Sequence, residues 1–84
     1  MGFDLTASGQ ELARLWNAIP DEQRGRRTCA LVGRIRNDPA EFTRKGAVVA
    51  AAKRIRPKGA GKDWDAFFKG LAEFMLAIAP LFVK

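Results

Sequence analysis

Asp63-Trp64-Asp65-Ala66-Phe67-Phe68-Lys69-Gly70-Leu71-Ala72-Glu73-Phe74-Met75-Leu76-Ala77-Ile78-Ala79-Pro80-Leu81-Phe82 is the stretch that decides the fold of this 84-residue chain. Trp64, Phe67, Phe68, Leu71, Phe74, Met75, Ile78, Leu81 and Phe82 recur at the three- and four-residue spacings of a helix for about five turns. At roughly 100° per residue they fill an arc of roughly 140°, with Asp65, Lys69, Glu73 and Pro80 opposite. The pattern predicts a long amphipathic helix over 63–79, capped by Asp63 and kinked or ended by Pro80. It argues against a membrane span, because the uncharged run from Phe74 to Val83 is ten residues and a spanning helix needs roughly 17 to 25. Association with a membrane surface is also disfavoured, since the polar face of this helix is slightly acidic.

Upstream, Arg56-Pro57-Lys58-Gly59-Ala60-Gly61-Lys62 is the one linker-like stretch, a cationic loop marked by Pro and Gly and read as a mobile tether. Before it, Asp38-Pro39-Ala40-Glu41 is a capping box with Pro at the first helical position. It opens a helix over 39–55 whose alanines, Ala47, Ala50, Ala51 and Ala52, permit close helix–helix approach. Thr28, Leu31, Val32 and Ile35 form the apolar stripe of a helix over 21–37, weakened by about 1 kcal/mol at each of Gly25 and Gly33. Ser8 and Glu11 form another capping box, and Leu12, Leu15, Trp16 and Ile19 follow in helical register, so the first helix covers 9–19 and ends at Pro20. No segment has strand periodicity. The expected fold is all-α, a compact bundle of about four helices (9–19, 21–37, 39–55, 63–79) in a single small domain over 1–84.

Composition narrows the chemistry. The chain has no His, no Tyr, one Cys and one Ser, which excludes His-based catalysis, a Ser–His triad, a multi-cysteine zinc site and a disulfide framework. Gly59-Ala60-Gly61-Lys62 fails as a phosphate-binding loop: Arg56 stands where the leading glycine is needed, and Asp63 where Ser or Thr is needed. The expectation is a non-enzymatic protein without metal or cofactor. The unpaired Cys29 and an N-terminus lacking basic and apolar signal regions point to the cytoplasm.

Fifteen Lys and Arg against nine Asp and Glu give a formal net charge of +6, unevenly placed. Residues 1–23 carry one cation against four anions, and residues 63–84 carry two against three. Residues 24–62 carry twelve cations against Asp38 and Glu41, a net of +10. Arg27 and Arg34 stand seven residues apart, stacked about 10 Å along one line of a helix. Segregated charge of this kind fits a polyanion, and Arg suits bidentate phosphate contact. Arg26, Arg27, Arg34, Arg36, Lys53, Arg54, Arg56, Lys58 and Lys62 are therefore the candidate contacts to DNA or RNA.

The small side chains of the two middle helices offer little cover for nine large residues on the last one. Trp64, Phe68, Phe74, Leu76 and Phe82 are accordingly the candidate interface of a homodimer or a standing protein partner. The competing reading is a protein–protein adaptor or inhibitor, of phage or mobile-element type, docking through the same aromatic helix.

Overall fold

The computed structural model describes residues 5–82, with side chains from residue 8 onward. Those residues form four α-helices and no strand: α1 (Leu5–Ala18), α2 (Arg26–Asn37), α3 (Ala47–Ile55) and α4 (Lys62–Ile78). The all-α class holds, and α2 and α3 end at Asn37 and Ile55 as expected, while the other helix boundaries depart from expectation for local reasons. α1 begins at Leu5, so Ser8 lies inside it and does not cap it. Glu11 instead pairs with Arg14 one turn on. The shared hydrogen bond holds the Glu11 carboxyl below its ordinary range and lifts Arg14 further above neutrality.

The helix expected over 21–37 divides. A 3-10 turn, Asp21–Gln23, is followed by Gly25 in extended conformation at the start of α2. Leaving the helical path there lets the Gln23 side chain accept the Gly61 N–H at 3.1 Å, which ties the first interhelical turn to the start of α4. The helix expected over 39–55 divides too, into a 3-10 turn, Pro39–Phe42, and α3. Gly46 between them has φ 82°, a left-handed conformation that favours glycine. The break has a packing cause. On one continuous helix Phe42 would sit roughly 120° around the axis from Val48, yet both are buried. The Asp38–Glu41 capping box does not form; no side chain caps that turn.

α4 starts at Lys62 after an extended Gly61, so Asp63 is not the cap and lies in the first turn, beside the positive end of the helix dipole. At the far end Pro80 terminates rather than kinks: α4 stops at Ile78 and a 3-10 turn, Ala79–Leu81, carries the proline. The Leu81 and Phe82 continuation of the stripe thereby leaves the core, with Leu81 70% exposed.

α4 is the centre of the bundle. Trp64, Phe67, Phe68, Leu71, Met75 and Ile78 are buried on it, with α1 and α3 packed alongside and α2 packed on α3. The cover for this helix comes from two sources. Ile19 and Phe42, from the turns, are buried with Leu31, Ile35, Val48 and Ala52, and Leu12, Leu15 and Trp16 of α1 pack against them. α1 comes close because Gly70 has no side chain: a Cβ there would lie 3.1 Å from Leu15 Cδ1. The rings interlock, with Trp64 and Phe68 centroids 4.4 Å apart, Phe67 and Phe68 5.0 Å apart edge to face, and Trp16 and Phe67 5.0 Å apart. The buried Trp64 indole N–H donates to Thr28 Oγ1 at 3.2 Å, so the core's principal polar group is satisfied from α2.

Candidate nucleic-acid interface

α2 buries Thr28, Leu31 and Ile35, which turns Arg27 and Arg34 toward its flank beside α3. α3 buries Val48 and Ala52 and presents Ala51, Arg54 and Ile55 to the same side. Between the helices runs a groove of about 320 Å³ with Arg27, Arg34 and Arg54 around Leu31, Ala51 and Ile55. It shares Arg27, Arg54 and Ile55 with a depression of about 460 Å³ at the start of α2, where Arg26 and Lys58 join it. Glu22 is the one acid lining that end.

Arg26, Arg27, Arg34, Arg54 and Lys58 are exposed and form no ion pair among the described residues. Their donors face solvent, ready for an anion. The Arg34 guanidinium lies 5.5 Å over the Phe42 ring, a cation–π contact that narrows its rotamer freedom without using its hydrogen-bond donors.

Four of the nine expected contacts stand apart from this set. Arg56 borders the depression, but its fork is taken: Nε and Nη2 donate to the two Asp65 carboxylate oxygens at 2.9 Å, and Nη2 also donates to the Ala60 carbonyl at 3.1 Å. That hydrogen bonding holds the Asp65 carboxyl below its ordinary value and raises the Arg56 guanidinium. Arg56 is thus an anchor of the loop. With Gly61 bound to Gln23 and the Ala60 N–H bonded to the Pro57 carbonyl at 3.0 Å, the segment expected as a mobile tether is fastened at several points. Lys53 lies on the other side of α3, beside α4. Arg36 and Lys62 are exposed and line neither part of the groove.

The expected apolar interface fares differently. Trp64 and Phe68 are 2% and 3% exposed within a single chain, so they belong to its core. Phe74 is half-buried against that core. Leu76 and Phe82 remain at the surface.

The partnership of Arg54 with Arg27 and Arg34 went unread in the sequence. Spacing within α2 pairs its two arginines, whereas the rotation of α3 that adds the third depends on the break at Gly46. On the far side of the bundle, α1 and α4 enclose a groove of about 300 Å³ bordered by Glu11 and Glu73, so the charge is polarised across the molecule. Among the described residues no helix is long and apolar enough to cross a membrane. No protein-family model, curated protein or solved structure matches the chain.

Proposed function

We propose that this protein is a non-enzymatic nucleic-acid-binding protein that grips DNA or RNA phosphates in the α2/α3 groove. The observation that carries the reading is the convergence of Arg27, Arg34 and Arg54, none of them in an ion pair among the described residues, on one groove. Neutralising phosphates releases condensed counterions, which makes such binding favourable and dependent on salt. The groove floor, Leu31, Ala51 and Ile55, has no side chain able to hydrogen-bond a base edge. Binding is therefore expected to follow the backbone and to discriminate little between sequences.

Titration of short duplex DNA and RNA at two salt concentrations tests this. The affinity should fall as salt rises, and the double variant Arg27→Ala/Arg54→Ala should reduce the slope of log K against log salt by about 1 for each cation removed. No binding at low salt would sink the reading. Leu76, Leu81 and Phe82 are the surface proposed for self-association through the end of α4. Light scattering on the native chain and on Leu81→Ser/Phe82→Ser should show a dimer lost in the variant; a native monomer removes the dimer and leaves the groove untouched.

A further inference from the structure

α3 has a second side. Val49 and Ala52 on it, with the edges of Trp64 and Phe68 on α4, bound another groove of about 370 Å³. Its walls are almost wholly apolar, unlike the arginine-lined groove next to α2. The volume lies near the lower end of the roughly 300–1,000 Å³ typical of ligand sites. Val49 is 39% exposed and is one of the few large apolar side chains at the protein surface.

The rim carries three cations, Lys53, Arg56 and Lys69, against one acid. Lys53 and Lys69 border the groove, are exposed, and form no ion pair among the described residues. The acid on the rim, Asp65, is already occupied by Arg56. Two lysines across an almost wholly apolar trough give a phosphate chain fewer partners than the three arginines of the α2/α3 groove. A second copy of this chain paired two-fold on this groove would set the same lysines against each other, an unfavourable approach.

The geometry points to a docking groove for an acidic amphipathic helix of a partner protein. Such a helix would lay an apolar side chain against Val49, the exposed apolar side chain of the groove, and set Asp or Glu beside Lys53 and Lys69. This does not depend on the nucleic-acid reading, because the two grooves use opposite sides of α3 and different cations.

The test is an NMR titration of the full chain with a synthetic glutamate-rich helical peptide carrying Leu and Phe four residues apart. Resonances of Val49, Ala52, Lys69 and the Trp64 indole should shift. Val49→Glu should weaken binding about tenfold or more, and Lys53→Glu about threefold, while Arg36→Glu, an equal charge change away from the groove, leaves it unaltered. The spectrum of each variant reports whether it is folded, and Lys53→Glu, at an exposed site, keeps the test decisive if Val49→Glu unfolds. Several results overturn the proposal: no binding, equal binding by a peptide with Ser in place of Leu and Phe, equal loss with Arg36→Glu, or shifts confined to Arg27 and Arg54. So would a dimer that Val49→Glu splits, or the same resonances shifting with an oligonucleotide.

Discussion

The two long sides of α3 carry different burdens. Toward α2 it presents Arg54 across from Arg27 and Arg34, exposed cations over a thin apolar floor. Inward it presents Val48 and Ala52 to a core built on Trp64, Phe67 and Phe68. A helix of nine residues thus separates charge, which the fold does not need, from packing, which it does. The lesson is that a small domain can hold a concentrated cationic surface if the repelling groups stand in solvent, where water and salt screen them.

The largest expected effect comes from breaking the packed side. Trp64→Ala removes the most buried ring and its hydrogen bond to Thr28, and should cost about 3–5 kcal/mol in chemical denaturation. That is a large fraction of the roughly 5–15 kcal/mol available to a domain. A loss near zero would mean that α4 is not the organising element. The charged side should behave oppositely: Arg27→Ala and Arg54→Ala should each change stability by no more than about 0.5 kcal/mol, while the double variant loses nucleic-acid affinity. If either variant unfolded the protein, the separation of charge from packing would fail.

The smallest effect sharpens the border between the two sides, where Arg56 holds Asp65. The carboxyl is depressed below its ordinary value near 3.8 by hydrogen bonding to the guanidinium. Its contribution is therefore fully present above that value and is lost as pH falls through the lower, folded one. Both partners are exposed, so global stability should move little. A carboxyl titration by NMR should show Asp65 below its ordinary pKa, restored by Arg56→Gln; an ordinary value in the native chain would show that the clasp is absent in solution.

α4 was legible because nine large apolar residues keep one register over many turns, and no other structure satisfies that spacing. The divisions at Gly25 and Gly46 were not, because a glycine within a helix costs only about 1 kcal/mol and a local pattern cannot tell tolerance from a break. Phe42 held the one available signal: it lies off the face shared by Val48 and Ala52. Arg56 looked like any other cation of its loop. Only the return of α4 beside α3 brings Asp65 to it.

By itself the sequence determined the all-α class, the long aromatic helix and the segregation of charge into residues 24–62, since periodicity and net charge are properties of the chain order. The tertiary structure decided which cations meet, which are spent, and which aromatics are hidden. Arg27 and Arg54 become neighbours, Arg56 becomes an anchor, and Trp64 and Phe68 become core. Those outcomes depend on the rotation and approach of whole helices, set by the turns at Gly25 and Gly46 and by the gap at Gly70, where distant residues first come into contact.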